Sequence, residues 1–472
     1  MDFSLGGQSK NFDSKKSRSE VINLYAEMDV KGNFKTAKKV EGLTDFATLA
    51  SGAPRSNILI NDGFAYVVAG SVLYRVTLAG VVTSLGAVDG VGRAKLSANA
   101  VPGDSQILVL NGSGDGYIYT NAAGLVAITD VDFFSSSSST VLEERFWLAR
   151  DGTNEFFGSD LSDGTSYNPL TFGSADESPD KVVATVAKKS ALWVLGEKTC
   201  QYLQTFNDPI FPLRNVKGGT KEWGILVGNT LAEMNDYFAF LADDRTVRMV
   251  QGTQLVEISD LSFELRVKGN GTAKFPGFSV VDDAYGFFVD GPVHSTYYIT
   301  FPTEGYTWGH DIKTGISHQR ESEGLGYWRA NSATKFGTKV ICGDNVSGKL
   351  WLLDPMNKTE NDLMMRTTLV TPSISFEKNI TISLIELDME VALTTDPTDD
   401  PMLRVHYTKD GGNTWISKAP ISMGKWGQHS IRVPLRQFGR LVRNKDFALK
   451  IETTSDIGVQ YYGAKIQYKV SM

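Results

Sequence analysis

The sequence predicts an all-β protein: a β-propeller of six or seven blades, with an extended N-terminal arm before it and a C-terminal β-sandwich after it. Three observations lead to this prediction. The 472-residue chain has 46 glycines, 11% aromatic and only 21% charged residues, a composition typical of strands and turns rather than helices. Hairpin-like stretches recur at near-constant intervals through most of the chain. Longer strands of alternating polarity replace them after residue 370.

The N-terminal arm is the first predicted element. Residues 1–36 are polar and basic, with Lys15, Lys16 and Arg18 ahead of the amphipathic stretch VINLYAEM. A segment at a chain end is poorly ordered unless something holds it in place. We therefore expect an arm that orders on a partner subunit, and a disordered tail is the alternative.

Seven hairpins predict a propeller over residues 37–370. Each has two apolar or alternating runs joined by a short polar or glycine turn. Successive hairpins begin roughly 40 to 55 residues apart, close to the ~40–50 residues of one propeller blade. Runs such as LWVL and YGFFV do not alternate, which fits strands buried on both faces between neighbouring blades. Six blades stay possible because one hairpin could be an insertion. The hairpins begin at Ala65, Ile107, Phe146, Leu192, Tyr237, Tyr285 and Lys339.

The C-terminal part, residues 371–472, predicts a separate β-sandwich. Its strands, among them LIELDMEVAL and GVQYYGAKIQYKV, are separated by turn-rich breaks such as TTDPTDDP. One stretch in this part is basic and contains Arg432, Arg436, Arg440, Arg443 and Lys445. It could form a positive ridge toward nucleic acid or an acidic partner. It could equally be a solvated sheet edge whose charges discourage strand addition.

Charge and cysteine content narrow the class of protein. The formal net charge is −7, which argues against tight binding of nucleic acid, because that binding comes mainly from Lys and Arg that neutralise phosphates. Loose contact with DNA stays possible. Only Cys200 and Cys342 are present, too few for a disulfide framework, so a reducing compartment fits best. The sequence has no run of about 18 apolar residues. We therefore expect folding in the cytoplasm and no membrane insertion.

Patterns that would indicate catalysis or metal binding are scarce. The five histidines have no HxH or HExxH spacing, and the chain has neither a GxxxxGK[ST] phosphate loop nor a GxSxG nucleophile elbow. Asp396, Asp399 and Asp400 offer carboxylates for calcium, but their Thr and Pro neighbours indicate an exposed loop between strands. We predict no catalytic residue, no cofactor and no metal site, and calcium at the acidic loop stays open.

The stretch TKDGGNTW fits the Asp-box pattern known from the propeller blades of sialidases; its motif residues are Thr408, Asp410, Gly412, Thr414 and Trp415. Asp and Gly favour a tight turn, and the Trp is expected to pack beneath the hairpin, so the motif carries turn geometry and no reacting group. It occurs once, in the predicted sandwich rather than in the propeller. We predict a structural turn, and the alternative function is a glycan-binding or glycan-cleaving, sialidase-like propeller protein.

Four stretches stand in a fixed order along the chain. SRSEVINLYAE carries Arg18, Asn23, Leu24, Tyr25 and Glu27, and EGLTDF follows it. LSDGTSYNPLTFGSADESPDKVVA and LWVLGEKTCQYL lie in the middle, and FGRLVRNKDFALKI with DIGVQYYGAKI lies near the end. Together they resemble the packaged DNA stabilisation proteins of short-tailed bacteriophages, also called tail hub, nozzle or head-completion proteins. In the EGLTDF turn, the family often has Pro where this chain has Glu.

The resemblance implies a non-enzymatic structural protein of the phage virion. It implies a homo-oligomeric ring, typically a hexamer, below the portal and adaptor rings, which extends the DNA channel and stabilises packaged DNA. Double-stranded DNA would pass through transiently, and a tail needle or plug and tailspikes or fibres would attach to this hub. We expect the arm to dock on the adaptor ring, with Leu24 and Tyr25 as apolar anchors and Lys15, Lys16 and Arg18 as electrostatic guides.

Overall fold

Seven sets of four antiparallel strands follow one another through most of the chain, and we number them blades 1 to 7; blades 6 and 7 belong to larger sheets. The computed structural model describes residues 2–3, 20–28, 34–101, 104–175, 180–272 and 276–470. In sheet order, blade 1 has the strands Leu59–Asn61, Phe64–Ala69, Val72–Val76 and Val82–Ala87, and blade 2 has Lys95–Ala98, Ile107–Leu110, Gly116–Thr120 and Gly124–Ala127. Blade 3 has Ser139–Leu142, Arg145–Ala149, Glu155–Asp160 and Asp163–Ser174, and blade 4 has Val182–Lys188, Ala191–Gly196, Cys200–Thr205 and Leu213–Asn215. Blade 5 has the strands Ala232–Met234, Tyr237–Leu241, Val247–Gln251 and Gln254–Glu257. Blade 6 has Tyr285–Asp290, Ser295–Phe301, Tyr306–Asp311 and Ile316–Gln319. Blade 7 has Ala330–Phe336, Lys339–Asp344, Lys349–Asp354 and Gly42–Thr48.

Each predicted hairpin falls in a different blade. In most blades the hairpin forms the second and third strands, as Phe64–Ala69 and Val72–Val76 do in blade 1. In blade 6 it forms the first and second strands, Tyr285–Asp290 and Ser295–Phe301. The propeller prediction is confirmed, and the described part of the chain has seven blades.

Two short helices interrupt the strands. The 3-10 helix Gly228–Thr230 precedes blade 5, and the α-helix Leu261–Val267 lies between blades 5 and 6. The Asp260 carboxylate caps the α-helix by accepting a hydrogen bond from the Phe263 amide at 2.9 Å.

Blade 7 closes the ring because it combines strands from both ends of the propeller sequence. Its first three strands lie within residues 330–354, and its outermost strand, Gly42–Thr48, comes from before blade 1. Hydrophobic clusters fill each interface between neighbouring blades; Trp147 and Trp193 are examples of their fully buried aromatic residues. Each blade therefore buries its apolar surface against its neighbours, and the blades are stable together as a closed ring.

A β-sandwich of two sheets follows the propeller, as predicted. Sheet A has the strands, in order, Leu24–Met28, Phe34–Lys39, Gln460–Val470, Ile380–Met389 and Val433–Leu441, with Asp2–Phe3 also paired to Gln460–Val470. Sheet B has the strands, in order, Glu20–Ile22, Thr367–Val370, Asp446–Thr453, Met402–Thr408 and Ile416–Ser417. The short strand Ile374–Ser375 also pairs with Asp446–Thr453, and Ile421–Ser422 also pairs with Met402–Thr408. Two further strands, Thr359–Glu360 and Leu363–Met364, extend the Gly42–Thr48 edge of blade 7.

Sheet B and blade 6 form one continuous sheet. Ile22 pairs in parallel with Gln319, the last residue of blade 6, while Glu20–Ile22 pairs antiparallel with Thr367–Val370 on its other side. Strand pairing therefore continues from the propeller into the sandwich through the Ile22–Gln319 pair.

The structure corrects the predicted extent of the arm. Residues 1–36 were expected to order on a partner subunit, but the described part of this range orders on its own chain, in sheets A and B. Strand Phe34–Lys39 crosses the predicted boundary after residue 36, and Thr367–Val370 lies in the sandwich rather than in the predicted propeller of residues 37–370. The sequence shows that VINLYAEM is amphipathic, but its distant pairing partners, Gln319 and Thr367–Val370, are set by the tertiary fold. Residues 1, 4–19 and 29–33 lie outside the described residues.

Lys39 is a buried lysine of sheet A that gives the fold a pH dependence. It is only 1% exposed, its Nζ donates to the Ser455 carbonyl at 2.7 Å, and burial lowers its pKa from 10.5 to about 8. Between these two pKa values the unfolded chain binds more protons at this residue than the folded chain does, so stability rises with pH. Relative to Lys39→Met, we expect the unfolding free energy of the native chain to rise by about 3 kcal/mol over this interval.

Urea unfolding of both chains between about pH 7 and pH 10.5 measures this difference, in which the pH effects of groups that do not interact with Lys39 cancel. The matched control is Lys38→Met, because Lys38 is the exposed neighbour on the same strand. The control should follow the native pH profile. Equal pH profiles for the native chain and Lys39→Met would contradict the prediction.

Candidate functional site

Asn23 lies where the chain passes from sheet B to sheet A, and it holds three segments together. It is fully buried and has a left-handed φ of 54°. Its Nδ2 donates to the carbonyls of Glu321 at 2.9 Å and Arg366 at 2.8 Å, and its Oδ1 accepts from the Glu321 amide at 3.1 Å. Its own amide donates to the Gln319 carbonyl and its carbonyl accepts from the Val40 amide. The Asn23 side chain thus joins the end of blade 6 to the entry of the sandwich, and its backbone carbonyl holds Val40, just before the strand that closes blade 7.

A buried ionic pair lies beside Asn23. The Arg320 side chain is fully buried, with its Nη2 2.6 Å from the Glu41 carbonyl oxygen and 3.7 Å from Glu360 Oε1. The guanidinium also stacks over the Trp328 ring at 3.7 Å. Glu360 accepts from Trp328 Nε1 at 2.9 Å and from the Ser322 hydroxyl. Burial raises the pKa of Glu360, and the positive charge of Arg320 opposes that shift.

Tyr25 lies near the Arg320 charge and makes aromatic contacts with two histidines. Its ring stacks on His294 at 4.0 Å and meets the His318 ring edge-on at 5.0 Å, and its hydroxyl donates to Glu41 Oε2 at 2.8 Å. His318 Nε2 lies 2.9 Å from the Tyr298 hydroxyl. Burial, aided by the charge of Arg320, lowers the pKa of His318 to about 3, so this imidazole stays neutral at ordinary pH. We call Tyr25, Glu41, His318, Arg320 and Glu360 the junction cluster.

The residues predicted to dock on a partner have different positions. Leu24 is fully buried in the sandwich core and Tyr25 is 5% exposed in the junction cluster, so both side chains pack within their own chain. Lys15, Lys16 and Arg18 lie outside the described residues. Docking through Leu24 and Tyr25 would require this junction to open.

Charged side chains cross the central axis of the propeller. Glu233 on the first strand of blade 5 pairs with Lys188 of blade 4 at 3.0 Å and with Lys95 of blade 2 at 3.6 Å. Blades 2 and 5 lie on opposite sides of a seven-bladed ring, so the second contact spans its centre. Arg93, just before blade 2, donates to the Asn331 carbonyl of blade 7, and burial lowers its pKa to about 10. These side chains occupy the propeller's own channel.

The Asp-box residues form the turn between the fourth and fifth strands of sheet B. The Asp410 carboxylate accepts from the Thr414 hydroxyl at 2.6 Å, from the Thr414 amide at 3.0 Å and from the Thr408 hydroxyl at 2.7 Å. These hydrogen bonds hold the pKa of Asp410 well below its usual range. The Gly412 amide donates to the Thr408 hydroxyl at 2.9 Å, and Trp415 is half-buried. All three of these hydrogen bonds to the Asp410 carboxylate are internal to the turn.

Side chains that could hold a metal ion do not come together in the described part of the chain. In the acidic loop, Asp396 accepts from the Thr398 amide at 2.8 Å and from its hydroxyl at 2.7 Å, and Asp400 accepts from the Ser422 hydroxyl. Within the described residues, no helix has the length and apolar character that crossing a membrane requires.

The two domains each match a family model. One, described as bacteriophage P22 Gp10, beta-propeller, matches residues 7–358, and the other, described as bacteriophage P22 Gp10, beta-sandwich, matches residues 366–469. The chain belongs to the bacteriophage P22 Gp10 family. The resemblance to phage DNA stabilisation proteins is therefore confirmed, and this Gp10-family chain is a structural component of a phage virion.

Solved structures similar to this Gp10-family chain have low sequence identity. The Pan2 WD40 domain of Neurospora crassa is 11% identical, covers 67% of this chain and 96% of its own, and has a TM-score of 0.40. BamB from Moraxella catarrhalis is 10% identical, covers 66% of this chain and 97% of its own, and has a TM-score of 0.39. A streptogramin B lyase is 11% identical, with coverages of 66% and 96% and a TM-score of 0.43. A search of the curated proteins finds no match.

Only some residues of the junction in this Gp10-family chain could be predicted from the sequence. Asn23 and Tyr25 belong to the stretch that carries the family resemblance, so that stretch was the available signal. His318, Arg320 and Glu360 gave no signal, because each is an isolated polar residue in its own segment. Only the meeting of blade 6, blade 7 and the N-terminal strands places these three side chains together.

Proposed function

We propose that the protein forms a homo-oligomeric ring, most simply a hexamer, below the portal and adaptor rings of a short-tailed phage. The ring extends the DNA channel, helps to retain the packaged genome and serves as the hub to which a needle or plug and tailspikes or fibres attach. Its role is mechanical and it catalyses no reaction.

The match of both domains to the P22 Gp10 family is the observation that carries this proposal. Two structural features support it. The sheet that continues through Ile22 and Gln319 joins propeller and sandwich by strand pairing, which suits a part that bears load. The ion pairs of Glu233 lie across the propeller's own axis, so a DNA channel in this assembly would run between subunits rather than through a propeller.

The basic residues ahead of strand Glu20–Ile22 are the proposed contact with the adaptor ring. Lys15, Lys16 and Arg18 would guide docking electrostatically. Because Leu24 and Tyr25 are buried in their own chain, their part in docking would be to anchor the base of this segment.

Phage particles made without this protein test the proposed function. We expect heads that package DNA, lose it on purification and carry no tail fibres or spikes, because the ring that retains the genome and holds these parts is missing. The genome content of purified particles by quantitative PCR and their tails by electron microscopy measure this. Supplying the native chain in trans should restore both properties. Particles that keep their genomes and have complete tails would contradict the proposal.

A further inference from the structure

The outer face of sheet A carries a group of basic side chains although the whole chain has a net charge of −7. In strand Val433–Leu441 the apolar side chains point into the sandwich, and Arg436 and Arg440 point outward and are exposed. The register places Arg440 opposite Thr381, and Thr381 opposite Lys469 on its other side. Three neighbouring strands therefore present a row of two cations around a threonine, with Arg436 on the same face.

Two loops at this end of the sheet add further cations. Arg443 and Lys445 follow strand Val433–Leu441, and Lys378 precedes strand Ile380–Met389; all three are exposed. The Arg443 amide donates to Asn379 Oδ1 at 2.9 Å, which holds the two loops together. We call the exposed cations of this end the basic face; they are Lys378, Arg436, Arg440, Arg443, Lys445 and Lys469.

The cations of the basic face are not neutralised by nearby carboxylates. Within the described residues, none of the six lies within 4.0 Å of a carboxylate oxygen. Glu377 is the exposed carboxylate in the same loops. The carboxylates of strand Ile380–Met389, Glu386 and Asp388, lie toward the opposite end of the sheet, where Glu386 pairs with Arg432 at 3.4 Å. The face therefore concentrates positive charge locally.

The backbone edge beside the basic face is already occupied. Lys409 Nζ donates to the Arg440 carbonyl at 3.1 Å, and Lys418 Nζ donates to the carbonyls of Arg436 and Gln437. These contacts, with the left-handed φ of 64° at Gln437, obstruct the addition of another strand. A partner would therefore contact the side chains at this edge rather than its peptide groups.

We propose that the basic face binds the phosphate backbone of double-stranded DNA. Phosphate contacts come from Arg and Lys together with Ser, Thr, Asn and Gln. Thr381 lies between Arg440 and Lys469, and Leu384 lies between Arg436 and Gln467, so a threonine, a glutamine and one leucine neighbour these cations. Protein interfaces, in contrast, are rich in aromatic residues and poor in Lys at their centres. This inference rests on the proposed function, which places the chain where DNA passes. Contacts with phosphates alone are independent of sequence and weaken with salt, so they let DNA slide.

Binding of a fluorescent DNA duplex to the purified chain tests the proposal. The variant carries Arg436→Gln, Arg440→Gln and Lys469→Gln, which are exposed substitutions that leave the sandwich core intact. At about 50 mM salt we expect it to bind at least about tenfold more weakly than the native chain, and its plot of log K against log salt should be shallower by roughly 2 to 3. The control carries Lys181→Gln, Arg214→Gln and Lys217→Gln, which remove equal charge from exposed positions at blade 4, and it should bind as the native chain does.

The outcomes separate this proposal from the proposed function. No binding of the native chain to duplex DNA at about 50 mM salt, or equal weakening in both triple variants, would overturn it. Tighter binding of the native chain to polyglutamate than to DNA would also overturn it and would indicate an acidic protein partner. In particles, the Arg436, Arg440 and Lys469 variant should still assemble complete tails but release DNA at an altered rate. Loss of tail assembly in that variant would overturn the assignment to DNA, whereas failure of the proposed function would appear already in particles that lack the chain.

Discussion

Replacing Arg320 by Met is expected to destabilise the protein by about 3–5 kcal/mol, because removing one partner of a buried ion pair leaves the other charge without compensation. Glu360 would keep Ser322 and Trp328 as hydrogen-bond donors but would lose the cation 3.7 Å away. Its carboxyl would then take up a proton in the folded state above its unfolded pKa. The loss of stability should therefore be smaller near pH 5 than near pH 8.

Two further variants make this expectation specific. Arg320→Met combined with Glu360→Gln removes both charges, and we expect it to recover part of the lost stability. Arg432→Met is the matched control, because Arg432 is 80% exposed and pairs with Glu386 at 3.4 Å. An exposed pair contributes about 0.5 kcal/mol, so this control should unfold nearly as the native chain does. Urea unfolding followed by tryptophan fluorescence gives all three values. If Arg320→Met cost no more than the control, the buried pair would have no stabilising role.

Replacing Asn23 by Ala is expected to cost about 4 kcal/mol. The change leaves the carbonyls of Glu321 and Arg366 and the Glu321 amide without their buried partner, and each such loss costs about 1–3 kcal/mol when no water replaces it. The left-handed backbone conformation adds about 1 kcal/mol for alanine. Asn23→Gly loses the same hydrogen bonds without that conformational cost, so it should be roughly 1 kcal/mol less destabilised than Asn23→Ala.

Asn235 provides the matched control for Asn23. It also has a left-handed φ, of 46°, but it lies exposed in the turn between the first two strands of blade 5. Asn235→Ala should therefore lose only about 1 kcal/mol, from the backbone conformation alone. Equal losses in the alanine variants of Asn23 and Asn235, measured by urea unfolding, would show that the hydrogen bonds of Asn23 do not stabilise the junction.

Local features of the fold could be predicted from the sequence better than long-range ones. The hairpins starting at Ala65 and Leu192 were readable because a strand, a short turn and a second strand are neighbours in sequence. The number of blades and the partner of Gly42–Thr48 were not, because they depend on which distant edge is left free when the ring closes. The same holds for Lys39, whose buried ammonium is held by a carbonyl near the other end of the chain.

The all-β class, the propeller followed by a sandwich, and the family could all be predicted from strand periodicity, turn residues and ordered local stretches. Three features emerged with the folded chain: residues 20–28 complete the fold of their own chain, Arg320 and Glu360 form a buried pair, and Arg440 and Lys469 share one face. The physical reason is that local patterns fix which residues extend and which turn, whereas burial, ion pairing and shared faces arise between segments that meet only after the chain has closed on itself.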